Sequence, residues 1–415
     1  MRAQRADKFD VDISMVSALG NDLLVELSKL RELEPIHWSE ASRGWIITRH
    51  ADVDDALQGK FPLSLRRVER IIFGPLPDEE KAQLPLLQRF IPHWPIEMDP
   101  PEHTRLRKLL VKAFSKKVVE AQKPFVQQRV KTLIDKLAQN PEVEFNEEIA
   151  RQLPGSVILK LYGMPQEYLP KLKDWANSFQ EGIGVPYATL ELKKKAEQSM
   201  VEMTELFMAE IEKRRKNPQQ DDLISSLLSA SEGGDSLSED EMLGALQLVL
   251  VAGHDTTSST LTMGLAALAD HPHLWDYMYK NPDKMLESSL ELMRYISMST
   301  TQVRVALNDF EWHGKQIKKG DFVWLMFAAA NRDPRVFENP ESIDPTRNNE
   351  RSMVFAPGLH HCIGHLLAKL QVTEFFGQLV QRFEGAKVLD PRLNFMSQIA
   401  FRGLYHLNVR MQLRK

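Results

Sequence analysis

Cysteine is almost missing from this chain: Cys362 is the only one in 415 residues. An intrachain disulfide is therefore excluded. So is an iron–sulfur cluster held by this chain alone, which takes about four thiolates. A reducing compartment suits such a chain. Long apolar runs are missing as well. No stretch approaches the ~20 consecutive apolar residues of a membrane helix, and the most apolar segment, 243–269, is interrupted by Gln247, His254 and Asp255. The first ten residues are polar and charged, without the apolar centre of a signal peptide. The expectation is a soluble, cytoplasmic protein with no membrane partner. Basic charge is not in excess either. The formal net charge is −4, which argues against nucleic acid as a partner, since that wants a strongly basic face. No Gly/Ser tract, charge block or repeat marks a linker, so one domain over 1–415 is expected.

What is present favours helices around a large core, with 43% hydrophobic residues. Residues 19–33 read as an amphipathic helix, 45–48 as a short strand and 50–58 as a helix. Residues 60–98 read as irregular, with exposed aromatics. Helical patterns dominate 101–230, broken at Pro141, Pro165 and Pro186. A turn at 233–236 precedes a helix capped by Ser236 or Ser238. Strand-like pieces fill 309–327, and an apolar helical pattern runs over 363–379. The fold class is mainly α with small β-sheets near each end.

The lone cysteine lies in Phe355-Ala-Pro-Gly358-Leu-His360-His-Cys362-Ile-Gly364, in a loop that opens a helix. Gly358 and Gly364 allow a tight turn and close approach to something flat. Helix-start N–H groups stabilise a thiolate. A buried structural cysteine is the competing reading.

A second anomaly sits at Ala252-Gly253-His254-Asp255-Thr256-Thr257, a polar break in the apolar helix 246–261. Gly253 costs about 1 kcal/mol against Ala in a helix interior, and a carboxylate in an apolar stretch needs a partner. Two penalties at one place suggest a site. Gly253 lets a flat ligand approach the backbone. Thr256 is expected to turn its hydroxyl from the preceding-turn carbonyl and open a groove. Asp255 and Thr256 form an acid–alcohol pair suited to moving protons. Glu291-Leu-Met-Arg294 places a carboxylate and a guanidinium at i, i+3, and Arg347 after Asp344-Pro-Thr is a second guanidinium for Glu291. Met98-Asp-Pro-Pro-Glu-His103-Thr-Arg105-Leu-Arg107 opens a helix, with Asp99 as the expected cap. His103 and Arg107 share a face there, and Arg304 is a third donor from a strand.

Together and in this order, these segments resemble a cytochrome P-450, a haem-thiolate monooxygenase of the soluble bacterial type. The resemblance covers essentially the whole chain and implies one triangular, helix-rich domain enclosing a haem. It makes Cys362 the axial thiolate to the metal of haem b, pushing electron density toward bound oxygen. The cofactor-binding positions it implies are His103, Arg107, Ala252, Gly253, Arg304, Phe355, Gly358, His360, Cys362 and Gly364. Asp255 and Thr256 become the pair that manages protons, and Glu291, Arg294 and Arg347 a structural network. Two departures stand out. Ala356 replaces the usual Gly, so the turn must avoid positive φ or bear strain. Met298 stands where many members have Pro.

The implied activity is insertion of one oxygen atom from O2 into a hydrophobic small molecule, by hydroxylation or epoxidation. Two electrons come from a ferredoxin, or a flavodoxin, and its NAD(P)H-dependent reductase. Coupling or dehydrogenation uses the same oxidant and stays open. A peroxide-driven enzyme tends to lack the acid–alcohol pair, and a haem-thiolate sensor or gas carrier would have no use for Thr256. Expected pocket walls are Phe90, Ile91, Trp94 and Ile96; Leu248, Val251 and Ala252; Met298, Thr300, Thr301 and Gln302; and Ile399, Ala400 and Phe401. Arg105, Lys108, Lys112, Lys116 and Lys117 gather on and after one helix as a basic face for an acidic donor.

Overall fold

The computed structural model describes residues 20, 22–185, 188–218, 221–232, 235–396, 398 and 400–415. Leu23, Leu27 and Leu30 recur at helical spacing and bury one face of α1 (Asp22–Leu33). Strands β1 (Ile36–Ser39) and β2 (Gly44–Ile47) form a hairpin before α2 (His50–Leu57). After β3 (Leu63–Ser64) the chain runs through short turns and α3 (Pro85–Phe90). The aromatics expected to be exposed here are not. Phe73, Phe90 and Trp94 are all buried in the main apolar core.

Helix α4 (Glu102–Ala113) follows a proline pair, and α5 (Lys116–Gln139) ends before Pro141. Asp99 does not cap α4 with its side chain. Its carboxylate instead accepts from Ser64 Oγ at 2.5 Å and Leu65 N–H at 2.9 Å, closing the start of the 65–98 segment onto its end. After β4 (Glu142–Glu144) come α6 (Gln152–Leu161), α7 (Leu169–Gly182), α8 (Leu190–Lys216) and α9 (Leu223–Ser229). Pro186, Gly233 and Gly234 lie outside the described residues.

Helix α10 (Glu239–Ala269) is the long central element, started by a capping box. Ser238 Oγ accepts from Glu241 N–H at 3.2 Å, while the Glu241 carboxylate accepts from Ser238 N–H at 2.9 Å. Polar residues 252–257 do not interrupt it. It packs against α6, α7, α8, α12 (Met285–Ile296) and α13 (His365–Arg382), with α11 (Pro272–Lys280) at its end. Strand β5 (Gln302–Ala306) pairs antiparallel with β6 (Phe322–Leu325) and with β3, and β6 runs parallel to β2, giving the order β1-β2-β6-β5-β3. Strands β7 (Phe383–Val388) and β8 (Asn408–Leu413) form a second small sheet with β4. Among the described residues no helix is long and apolar enough to cross a membrane.

Candidate active site

The cysteine loop is set by backbone geometry. Phe355 ends a short turn, Ala356 adopts φ +49° and Gly358 adopts φ +95°. Ala356 thus bears the strain that Gly would avoid. A Cβ on Gly358 would collide with the backbone of Leu57, so glycine is required there for two reasons. Gly364 differs. Its φ of −84° is ordinary, and a Cβ on it would meet no protein atom within 4 Å. Cys362 N–H donates to Phe355 O at 2.9 Å, and the His365 ring Nδ1–H donates to Cys362 O at 2.9 Å.

Cys362 is exposed, yet protein crowds its sulfur. Desolvation pushes the thiol pKa up, against the opposing pull of the Gly364 N–H and the Arg107 guanidinium. A helix start alone therefore does not make a thiolate here. A metal cation on the sulfur would, since coordinated thiols are deprotonated outright.

Beside the thiol lies an unbalanced cationic cluster. The rings of His103 and His360 stack with centroids 3.7 Å apart. Both nitrogens of His103 and Nε2 of His360 are buried without a hydrogen-bond partner. Burial is the main cause holding the His103 pKa down at about 4, helped by Arg107. His360 is held at about 2 by burial, His103 and the arginines 304, 107 and 67. Arg304, fully buried in β5, is pushed down to about 9 by desolvation and Arg67. Among the described residues its guanidinium donates to Val303 O and Gln302 Oε1, both at 3.1 Å, and feels the charges of Glu97 and Asp99. Arg107 donates to His361 O. Orphaned buried ring nitrogens, beside three guanidiniums set against the two carboxylates of Glu97 and Asp99, fit a ligand carrying further carboxylates. The residues thus fit the two propionates of the haem that the cysteine loop implied. Arg67 is a contributor that the sequence did not reveal. It ion-pairs with buried Glu97 at 2.9 Å and its charge reaches the cluster.

On α10, Ala252 is exposed although Leu250 and His254, two residues to either side, are buried, as expected where a helix faces open interior space. Gly253 does not face that space. A Cβ there would sit 3.3 Å from Ile158 Cδ1, so Gly253 serves the close approach of α6. Nor does Thr256 turn from the preceding-turn carbonyl; its hydroxyl donates to Ala252 O at 2.6 Å. Asp255 is held by two groups missed in sequence, His254 Nδ1 at 2.8 Å and Arg151 Nη2 at 3.7 Å.

Glu291 and Arg294 are both fully buried and joined by two bonds of 2.8 Å. Arg347 Nε reaches the same carboxylate at 3.1 Å, and Asp344 N–H at 2.9 Å. Arg294 also donates to the carbonyls of Asn331, Pro340 and Ser342.

Several expected pocket walls are core instead. Phe90, Ile91 and Trp94 are 0%, 1% and 4% exposed, so they touch no open space. Thr300 and Thr301 are likewise buried, and the Thr301 hydroxyl is spent on Leu325 O at 3.0 Å. Thr300 N–H bonds Ala400 O at 2.9 Å and Arg402 N–H bonds Met298 O at 2.7 Å, so the segment after α12 is pinned without the family's usual Pro. Leu248 lies at the margin of burial, while Val251 and Ala400 are half-buried and remain compatible with a wall. Ile399 lies outside the described residues. Arg105 leaves the basic face, because its guanidinium is paired with Asp235 and Glu241.

Comparison with known proteins gives one answer. The family model described as Cytochrome P450 matches residues 80–399. Cytochrome P450 107B1 of Saccharopolyspora erythraea is 33% identical over 401 residues, covering 95% of this chain and 96% of that protein. The polyketide biosynthesis cytochrome P450 PksS of Bacillus subtilis is 31% identical over 394 residues, covering 92% of this chain and 94% of its own. A solved structure of PksS superposes with a TM-score of 0.84 at 29% identity, covering 95% of this chain and 98% of that one. The epothilone B-bound structure of P450epoK superposes with a TM-score of 0.85 at 26% identity, covering 95% and 98%. This chain belongs to the cytochrome P450 family: it is a haem-using monooxygenase that depends on O2, an organic substrate and an electron-donating partner.

Proposed function

We propose that the whole chain acts as one domain and that Cys362 is the proximal ligand of its haem. His103, Arg107, Arg304 and His360 would hold the propionates. The observation that carries this reading is the stacked pair of buried, unpartnered and uncharged histidines set among Arg107, Arg304 and Arg67 beside the single thiol. Haem held there supplies the oxygen-activating chemistry. The chain's own groups shield it, seat the substrate and move protons. Asp255 and Thr256 are consecutive residues of α10, with the Thr256 hydroxyl bonded to the carbonyl of the exposed Ala252, and they serve as the proton-delivering pair. Glu291, Arg294 and Arg347 are the rigid support of the loop.

The substrate we infer is a hydrophobic molecule with few polar groups, seated along the face of α10 carrying Leu248, Val251 and Ala252 and against Ala400. Relatives named for polyketide biosynthesis and for bound epothilone make polyketides, macrolactones such as epothilone among them, the first class to screen by the shift in haem absorption. The electron donor is a small acidic ferredoxin, or a flavodoxin, with its NAD(P)H-dependent reductase. Lys108, Lys112, Lys116 and Lys117 are exposed, and Val111 and Leu359 offer exposed apolar contacts near them in sequence or on the cysteine loop.

The reduced, carbon-monoxide-treated spectrum tests the ligand. Wild type should give thiolate-ligated absorption, and Cys362→His should lose it while keeping haem. Retention of that absorption in the variant would overturn the assignment. Thr256→Ala should bind substrate normally but release reducing equivalents as peroxide, cutting product about 10²–10⁴-fold. An unchanged product yield per electron would remove Thr256 from proton delivery.

A further inference from the structure

His254 is completely buried, and both of its ring nitrogens face acceptors. Nδ1 lies 2.8 Å from Asp255 Oδ1, and Nε2 lies 3.2 Å from the carbonyl oxygen of Arg151. A neutral imidazole has one N–H and one lone pair. Between a carbonyl and an ionised carboxylate it can satisfy only one of these contacts. The other sets lone pair against lone pair in a buried place. One further proton removes the conflict. Placed on the imidazole, it makes both nitrogens donors. Placed on Asp255, it lets the carboxyl donate to Nδ1 while Nε2–H serves the carbonyl.

Helix α6 packs beside the ring: an added Cβ on Gly155 would lie at ordinary contact distance, 3.4 Å, from His254 Cδ2. The charges facing the pair are near balance. The Arg151 guanidinium lies 3.7 Å from Asp255, but Arg151 is itself paired with Glu147 at 3.0 Å, and Glu147 with Lys173 at 2.5 Å. Ser258 Oγ, one turn on, bonds to His254 O at 3.0 Å and to Asp255 O at 3.1 Å and adds no charge. Asp255 keeps 20% of its side chain exposed while His254 has none. Of the two groups, Asp255 is the one that solvent reaches.

We propose that His254 and Asp255 together hold one stored proton, and that His254 is the reserve from which Asp255 is recharged. This rests on the reading of Asp255 and Thr256 as the proton-delivering pair. At rest the pair is an imidazolium and a carboxylate, or a neutral imidazole and a carboxylic acid. In delivery the Nδ1 proton crosses to Asp255 Oδ1, and Asp255 passes it to the hydroxyl or water at Thr256. No electron moves. His254 is left neutral with its Nε2–H still on Arg151 O, and Asp255 is left ionised. A solvent proton entering at Asp255 restores the store. His254 thus acts through Asp255 and needs no contact with substrate.

Nitrogen-15 NMR of ring-labelled histidines in the diamagnetic reduced carbonyl form of the holoenzyme tests the store, with the signal assigned by its loss in His254→Asn. Either both ring nitrogens protonated, or Nε2 alone protonated with the Asp255→Asn variant changing the Nδ1 shift, is the expected result. A neutral ring protonated only at Nδ1 holds no stored proton and would overturn the proposal. His254→Asn keeps a donor toward Asp255 yet cannot store a proton. With a macrolactone that shifts the haem absorption as probe, it should lower product per NADH several-fold, with haem content and probe affinity unchanged. A purely positional role would leave the Asn variant at the wild-type yield. Uncoupling by Asp255→Asn but not by His254→Asn would sink the reserve alone. No uncoupling by either, nor by Thr256→Ala, would sink the underlying reading instead.

Discussion

Gly358 in the cysteine loop lies so close to the backbone of Leu57, at the end of α2, that a Cβ on it would come within 2.8 Å of the Leu57 carbonyl carbon. The loop is thereby pressed onto α2, and its φ of +95° is one that side-chain-bearing residues rarely adopt. Gly358→Ala should therefore displace the loop and sharply lower haem content, read as the ratio of haem absorption to protein. Two positions earlier the logic inverts. Ala356 holds φ +49°, at a strain of about 1–2 kcal/mol. Ala356→Gly relieves it, partly offset by the extra freedom of Gly in the unfolded chain. The variant should be as stable as wild type or up to about 1 kcal/mol more so in a denaturant titration. A clear loss of stability would mean that the turn holds Ala356 without strain.

Glu291 should be the least replaceable of the buried acids. Its carboxylate takes Arg294, Arg347 and the Asp344 N–H together at 0% exposure. Glu291→Ala leaves Arg294 buried and uncompensated, at about 3–5 kcal/mol, a large share of a domain's stability. Little haem-loaded protein is expected, and Glu291→Gln should rescue only in part, since it keeps hydrogen bonds but not charge. Full haem loading in Glu291→Ala would show that the network does not support the loop.

His103 gives a pH dependence with a definite sign. Its folded pKa of about 4 lies below the usual 6.5. Between these values the unfolded chain takes a proton that the native haem-free protein refuses. Native stability of the haem-free form therefore falls as pH drops from about 6.5 to about 4. Below that the contribution of His103 is flat. Propionates brought by haem supply the missing counter-charge, so the slope from His103 should shrink in the holoenzyme. Denaturant midpoints against pH, for wild type and His103→Asn with and without haem, measure this. An equal slope in the haem-free wild type and variant would remove His103 from the effect.

Local spacing made the helices, the cysteine loop and the Glu291–Arg294 pair readable, because i, i+3 and i, i+4 neighbours meet whatever the rest of the chain does. What crosses the fold was not readable. Arg151 reaches Asp255 from the turn before α6, 104 residues away, and nothing near either residue signals it. Arg105 looked like surface charge until Asp235 and Glu241 closed on it. Phe90 and Trp94 looked like pocket wall because an irregular, aromatic-rich stretch gives no periodicity to show which side is core. Gly253 was read for a ligand, whereas its partner is Ile158 on α6. Helix-to-helix approach leaves no mark in local sequence.

The electron donor's docking face is the last matter the charges decide. The chain is mildly acidic at −4, yet Lys108, Lys112, Lys116 and Lys117 all stand exposed on α4 and at the start of α5. Lys116 has only a loose surface pair with Glu120 at 3.6 Å, which solvent screens. Arg105 no longer belongs to the patch, so the face is carried by lysines, which act as point charges that steer rather than as forks that lock. Long-range steering of this kind raises the encounter rate and fades with salt. Reversing Lys112 and Lys116 to Glu should therefore slow haem reduction by an acidic ferredoxin at low ionic strength. The gap should close as salt approaches physiological levels, where the Debye length is about 8 Å. The haem-shift affinity for a macrolactone ligand should not change, because neither lysine lies on the α10 face proposed for substrate. Reduction at the wild-type rate in low salt would place the docking face elsewhere. A parallel loss of ligand affinity would mean that the substitutions had disturbed α4 itself.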